Sequence, residues 1–442
     1  MNYKFSKYNF FVEYKDIIIC FNILNGSLFA LNVNKYNYLI ENYSDIKRIM
    51  EEDYSFFQSL LRLRFIIPMD LDEMDIINFR NKRDIFLDNS YNIVIMPTLD
   101  CNFKCWYCYE THNKEKMSTS TQKNILKFIE KQIDECKPPK INLRWFGGEP
   151  LLCFEKIIYP LSKEIKNICE EKEILFQNSI TTNGYLFYNK DIDKYTDIKL
   201  NQFQITLDGD EKRHNKIRNV NGTPTFSRIV NNIKMLIDNI EGCKVVLRIN
   251  YKNETLEDVK KILYNFSEKY KKSIVVDFQR IWQTSKERKP NNKALKQSVE
   301  LCENNGFITY YEHFYLYKGF VCYLDKWNSF VFNYNGDVYK CTGRDFNNSN
   351  KVGVLLNDGT IKWDMAKLIK RYSRATFDNK MCRKCKLLPI CLGPCSQKVF
   401  DNKPKTSHNI CHKELLETSI NNYIIRHYKK VISKNEEKNE TA

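Results

Sequence analysis

The stretch "LDCNFKCWYC", residues 99–108, holds Cys101, Cys105 and Cys108 in the spacing CxxxCxxC. Three thiols cannot all pair with one another as disulfides, and a closed structural zinc site takes four ligands. Three thiolates do suit three irons of a four-iron cube, leaving the fourth iron open to a small molecule. A second set runs Cys382-x2-Cys385-x5-Cys391-x3-Cys395, then fifteen residues, then Cys411, with Cys322 and Cys341 upstream. Taken alone, its CxxC pair is also the spacing of a zinc ribbon. Between the sets, "FGGEP" (residues 146–150) puts two glycines, which let backbone approach a ligand, before a carboxylate suited to an ammonium group.

From residue 91 strands and helices alternate. "YNIVIMP", "INLRWFGG", "FQNSITTNG", "FQITLDG", "KVVLRINY" and "SIVVDFQRIW" read as strands, with helices such as "STSTQKNILKFIEKQI" between them. This pattern predicts a parallel α/β sheet curled as a partial, TIM-like barrel. In such folds chemistry sits on loops leaving the C-terminal ends of strands, and the three-cysteine loop leaves the first strand. Upstream, two strand-like runs broken at Asn25-Gly26 signal a hairpin, followed by helical patterns. From about residue 310 helices fade and cysteines return, and the chain ends in the polar "SKNEEKNETA". The expected domains are 1–88, 89–309 and 310–428, with a disordered tail at 429–442.

A chain of 442 residues can hold two or three cores. No apolar run approaches the length of a membrane span, and "MNYKFSKYNFFVEYKD" lacks a signal peptide's apolar core, so a cytoplasmic protein is expected. Sixteen cysteines in a reducing compartment point to metal or redox chemistry rather than disulfides. Only six histidines argue against a His-ligated catalytic metal. The 70 basic and 54 acidic residues leave a net charge of +16. Lysines are spread along the chain rather than clustered, which favours an acidic peptide or no charged partner over nucleic acid.

With these motifs in order, residues 91–305 resemble the radical S-adenosylmethionine (radical SAM) enzymes, whose signature is CxxxCxxC after the first strand of a partial (βα)6 barrel. The resemblance implies a [4Fe-4S] cluster on Cys101, Cys105 and Cys108. It implies S-adenosylmethionine bound at the open iron and cleaved to a 5′-deoxyadenosyl radical that takes a substrate hydrogen. It places Gly147, Gly148, Glu149 and Pro150 at the methionine amine, and Thr182 and Asn183 of "TTNG" at the ribose or methionine. Asp208 of "ITLDG" ends the fourth strand, Arg218 matches a position pairing the methionine carboxylate, and Tyr107 one near adenine.

The C-terminal pattern resembles the SPASM module, which carries auxiliary clusters. By that resemblance Cys382, Cys385, Cys391 and Cys411 hold a distal [4Fe-4S] cluster, and Cys322, Cys341 and Cys395 a proximal one with an open iron, making three clusters in all. Cys302 is a candidate fourth ligand; it and the other five cysteines otherwise read as small core residues. The N-terminal segment resembles the winged-helix-like domain with which ribosomal-peptide maturases capture a leader peptide, commonly as an added strand. The expected function is intramolecular cross-linking of a ribosomally made precursor, favouring a cysteine thioether to carbon, with electrons from a ferredoxin or flavodoxin. Carbon–carbon coupling is the alternative bond. A sulfatase-maturing enzyme would carry Asp after the cysteine matching Cys341, where this chain has Thr342. A zinc protein binding nucleic acid would leave "FGGEP" and "TTNG" unexplained.

Overall fold

The computed structural model describes residues 2–87, 89–281, 292–310, 321–401, 411 and 419–440. The boundary expected at residue 88 lies outside them. The chain divides into two compact units. One combines the N-terminal segment up to Asp84 with the chain from Arg374 onward; the other starts at Ile85, contains the central α/β repeat and takes in Cys322–Ser373.

In the first unit, β1 (Tyr3–Phe5), β2 (Asn9–Tyr14), β3 (Ile17–Asn22) and β4 (Leu28–Asn32) precede helices Val33–Glu41, Ile46–Glu52 and Tyr54–Arg62. The next strand, β5 (Ile66–Pro68), pairs antiparallel with β1. Strands β2, β3 and β4 form an antiparallel sheet in that order, so β2 and β4 are its edges. The run "FFVEYKDIIICFN", read as one strand from sequence, is two: Lys15 takes φ 53 and the chain reverses between Tyr14 and Ile17. The Asn25-Gly26 turn falls between β3 and β4 as expected, with Gly26 at φ 80. Asn32 and Asp53 accept from the backbone N–H of Lys35 and Phe56, capping the first and third helices.

The core of this unit joins its two chain segments. Tyr8, Ile19, Phe21 and Ile77 pack with Phe377, Leu388, Ile390, Tyr423 and Ile424. The tail expected to be disordered from residue 429 instead continues the helix Ile420–Glu440. Tyr423 and Ile424 anchor its first turn in this core, and a Lys- and Glu-rich sequence, rich in good helix formers, carries it on.

The second unit is built on an eleven-stranded sheet. Its strands are β6 (Ser90–Ile95), β7 (Lys140–Trp145), β8 (Leu175–Thr182), β9 (Leu200–Leu207), β12 (Lys244–Tyr251), β13 (Ile274–Arg280), β14 (Ile308–Thr309), β15 (Ser329–Phe332), β16 (Asp337–Tyr339), β17 (Gly353–Leu355) and β18 (Ile361–Trp363). A separate two-strand ribbon, β10 (Asn219–Val220) and β11 (Thr223–Pro224), lies between β9 and β12 in sequence. The sheet order is β14-β13-β12-β9-β8-β7-β6-β15-β16-β17-β18. Pairing is parallel from β14 to β15 and antiparallel beyond. The six strands read from sequence are all present, and the barrel is open rather than closed.

One face of these strands is apolar. Leu143, Trp145, Ile180, Phe203, Ile205, Leu247 and Val276 pack with helix residues such as Ile129, Ile165 and Ile233 in one large core. Cys153, Cys169, Cys243 and Cys302 are buried in it as small apolar residues, whereas Cys136 is exposed at a helix end. The region expected as one domain at 310–428 is divided. Parallel pairing of β15 with β6 commits Cys322–Ser373 to the sheet unit, while the apolar residues after Arg374 belong to the first unit's core.

Candidate active site

The three-cysteine loop leaves the C-terminal end of β6, as its place after the first barrel strand requires. The Cys108 backbone N–H donates to the Cys105 carbonyl (3.0 Å), and the Phe103 N–H to the Cys101 sulfur (3.4 Å). Burial pushes all three thiols up, and the charges of Cys105 on Cys101 and of Cys108 on Cys105 add to it. Among the described residues no three His, Cys, Asp or Glu side chains close on a single-ion site.

The "FGGEP" turn is locked to this loop. Glu149 N–H donates to the Asp100 carbonyl at 2.7 Å, and Gly148 N–H to the Glu110 carboxylate at 2.8 Å. Gly147 (φ 85) and Gly148 (φ 42) have left-handed backbone, and a Cβ on Gly148 would lie 2.1 Å from the Asp100 carbonyl oxygen. Pro150 is buried at the start of the short helix that follows.

Glu149 is fully buried, and both its oxygens are engaged. They accept from Leu151 N–H (3.0 Å), the Thr182 hydroxyl (2.7 Å) and Asn183 N–H (2.7 Å). Burial raises its pKa to about 7, and these hydrogen bonds and the Arg218 charge pull the other way. The Glu149 side chain anchors the "TTNG" turn to the cluster loop. The Asn183 amide reaches on to Asn102 Oδ1 (2.7 Å).

Tyr107, Asp208 and Arg218 form a second buried group. Arg218 Nε donates to Asp208 Oδ2 (2.6 Å) and its Nη2 to the Tyr107 hydroxyl (2.6 Å); that hydroxyl donates to the same carboxylate. The expected roles at adenine and at the methionine carboxylate thus fall on side chains that here clamp each other. Asn250, at the end of β12, donates to the Tyr107 hydroxyl (3.0 Å) and is itself held by Arg248 Nε (3.1 Å). His214 accepts from Asp208 N–H (3.3 Å) and meets the Thr225 hydroxyl (3.2 Å); burial, then the Arg218 charge, lower its pKa to about 3. Sequence reading passed over Asn102, Glu110, His214 and Asn250. The one signal for Asn250 is the alternation of polar residues along an otherwise apolar strand.

Cys322 and Cys341 lie in the sheet unit and Cys395 in the other. The cluster loop is tied to the segment bearing Cys341: Tyr109 donates to the Thr342 carbonyl (2.6 Å), and Thr111 N–H and hydroxyl to Asp345 (2.9 and 2.7 Å). In the first unit, Cys382, Cys385, Cys391 and Cys411 lie within electrostatic reach of one another. Burial first, then the charges of the other three thiols, raise Cys391 to about 11.

The chain thus combines an open, mostly parallel α/β sheet with a three-cysteine loop after the first barrel strand. Residues 95–264 match the model of the Radical SAM superfamily. An uncharacterized protein of Methanocaldococcus jannaschii is 26% identical over 267 residues, 58% of this chain and 86% of its own length. The structure of anSMEcpe with bound AdoMet has a TM-score of 0.60 at 18% identity, covering 77% of this chain and 99% of its own. Streptococcus suis SuiB has a TM-score of 0.50 at 18% identity, covering 91% and 98%. These likenesses show the fold.

The radical SAM family implies S-adenosylmethionine and a [4Fe-4S] cluster. The residues present fit both. Three soft sulfur donors sit on one loop, and a cube spreads its thiolates over separate irons, so they need not converge on one ion. Among the described residues Asn102 Nδ2 and Asp208 Oδ1 are buried without a hydrogen-bond partner, one donor and one acceptor for a polar ligand to satisfy.

Proposed function

We propose that this chain is a radical SAM peptide maturase that installs an intramolecular cross-link, favoured as a cysteine thioether to carbon, in a ribosomally made precursor. The observation that carries it is the second cysteine group: Cys382, Cys385 and Cys391 stand in the spacing CxxCx5C in the unit that also contains Cys411, beyond what the radical loop needs. Four thiolates of one unit would suit an auxiliary [4Fe-4S] centre, with Cys322 and Cys341 as ligands of another. The likeness to anSMEcpe with bound AdoMet and Cp18Cys peptide (TM-score 0.60, 19% identity) supports a peptide substrate. The β4 edge of the N-terminal sheet, unpaired among the described residues, supports leader capture as an added strand.

When bound, the cluster and S-adenosylmethionine supply a hydrogen-abstracting 5′-deoxyadenosyl radical. Cys101, Cys105 and Cys108 would hold the irons, and the Gly147–Gly148 turn, which leaves no room for side chains, would let backbone approach the methionine end. Glu149 fixes the distance between that turn and Thr182–Asn183. The Tyr107–Asp208–Arg218 clamp fixes Tyr107 of the same loop. The test is anaerobic co-expression with the short open reading frames beside its gene, followed by mass spectrometry. The expected product has lost two hydrogens and has a cysteine that no longer alkylates. Loss of two hydrogens with every cysteine still free would overturn the thioether and leave carbon–carbon coupling, and an unchanged precursor would overturn the maturase.

A further inference from the structure

In each cysteine group one sulfur accepts a backbone N–H from two residues further on. Cys101 accepts from Phe103 (3.4 Å), Cys385 from Leu387 (3.4 Å) and Cys341 from Gly343 (3.3 Å). Such a bond favours the thiolate, and hydrogen bonds to sulfur are one lever by which a protein tunes an iron–sulfur centre. Cys341 therefore carries the same local feature as the radical loop. Cys322 shares its compact unit, and both are half-buried soft donors, which fits the auxiliary centre assigned to them.

Lys340, the neighbour of Cys341, is 2% exposed. Its Nζ donates to the carbonyls of Lys326 (3.3 Å), Trp327 (2.8 Å) and Ser329 (2.6 Å). These carbonyls belong to the turn that runs from Cys322 into β15. The turn is closed by Asp325 N–H on the Cys322 carbonyl (2.8 Å) and by the Ser329 hydroxyl on the Tyr323 carbonyl. The rings of Phe330, Trp327, Tyr372 and Trp363 line the ammonium, with centres 5.0, 5.8, 5.8 and 5.9 Å away. Arg371, on the helix Met365–Tyr372, makes a second tie. Its Nη2 donates to Asp325 Oδ1 (2.9 Å) and to the Lys340 carbonyl (3.0 Å). The chain after Cys322 and the chain before Cys341 are thus joined through two cations. The charges acting on Lys340 are those of Arg371 and Asp325, which pair with each other. Its own donors all go to neutral carbonyls. A buried ammonium so placed is costly, and an anionic centre beside it offsets that cost.

We propose that Lys340 and Arg371 are positioning residues for the auxiliary centre on Cys322 and Cys341. They fix the two cysteine-bearing arms relative to each other and set positive charge beside the centre. This deepens the maturase reading and rests on that centre of it.

The test counts iron and sulfide on the anaerobically reconstituted full chain and reads midpoint potentials by electron paramagnetic resonance during redox titration. Replacing Cys322 and Cys341 together by Ala is the reference and should remove about four irons per chain. Lys340→Met keeps the length of the side chain but none of its donors, and should lose most of the same iron. Arg371→Gln is the milder change. It should keep the iron with the centre's midpoint moved to more negative potential, because a nearby cation favours the more negative, reduced cluster. Arg371→Lys, which keeps the charge, should bring the midpoint back. Circular-dichroism melting checks that each variant folds, and 5′-deoxyadenosine formation should persist in all of them. Iron and midpoint at wild-type values in both Lys340→Met and Arg371→Gln overturn the pair and leave the centre standing. Full iron in the Cys322 and Cys341 double variant removes the centre and the pair with it. Loss of 5′-deoxyadenosine formation together with the iron shows a general role in the fold and also overturns the pair. No precursor enters these measurements, so an unmodified precursor overturns the maturase reading without touching the pair.

Discussion

A side chain at position 148 has nowhere to go: its Cβ would meet the Asp100 carbonyl oxygen at 2.1 Å and the Leu99 carbonyl carbon at 2.6 Å. Both are backbone atoms of the cysteine loop, so relief must come from moving that loop or the "FGGEP" turn. Gly148→Ala is therefore expected to lower bound iron by about four per chain and to abolish 5′-deoxyadenosine formation, by the one-cube reading of the loop. Iron at the wild-type level with normal cleavage would show that the turn and loop are not coupled. His214 makes a separate, pH-dependent prediction. Its pKa is about 3 in the fold, held down by burial and then Arg218, against an ordinary 6.5. The unfolded chain thus binds the extra proton first, and the stability His214 confers is complete above pH 6.5 and lost as pH falls toward 3. Between about pH 7.5 and pH 5.5 the loss is about 1.4 kcal/mol. Denaturant midpoints of wild type and His214→Gln at the two pH values check it: the variant's midpoint should change less, and equal slopes would refute it.

At the scale of elements, the radical loop and the βα alternation were legible because they are local. CxxxCxxC needs nothing beyond its own eight residues, and the period of two along "KVVLRINY" states which face is buried. Lys15 was not legible: a lysine at φ 53 carries none of the signals of a Gly or Asn turn, and it hid one strand inside another. Nor was the commitment of Glu149, whose type suits an ammonium ligand and whose partners come from β8, more than thirty residues away. The helix Ile420–Glu440 was misread because its polar end looks unburiable, while its fixed point lies earlier, at Tyr423 and Ile424. Ile424 is 0% exposed. Ile424→Ala is expected to cost about 3 kcal/mol of the first unit's stability, the usual range for a large-to-small core change. Limited proteolysis should then open the N-terminal sheet before the eleven-stranded sheet unit; an unchanged digestion pattern would show that the helix is not part of that core.

At the scale of the whole molecule, that shared core decides how the function must be tested. Removing residues 1–88 to probe leader capture would also strip Tyr8, Ile19 and Phe21 from Phe377, Leu388 and Ile390, which flank Cys382, Cys385 and Cys391. Lost peptide binding in such a deletion would not distinguish a leader site from a collapsed cysteine centre. Cysteine variants avoid this, because the two groups belong to separate units with separate cores. With three cubes, the reconstituted protein should carry about twelve irons per chain. Replacing Cys101, Cys105 and Cys108 together by Ala should remove about four irons and all 5′-deoxyadenosine formation. Replacing Cys382, Cys385 and Cys391 should also remove about four irons. It should leave slow cofactor cleavage intact, since no residue of the Glu149 or Tyr107 groups lies in that unit. Coupling of cleavage to peptide modification should then be lost. If the second triple variant keeps its full iron, the auxiliary centre on Cys382, Cys385 and Cys391 is refuted. If it loses iron yet still modifies the precursor at the wild-type rate, that centre is structural.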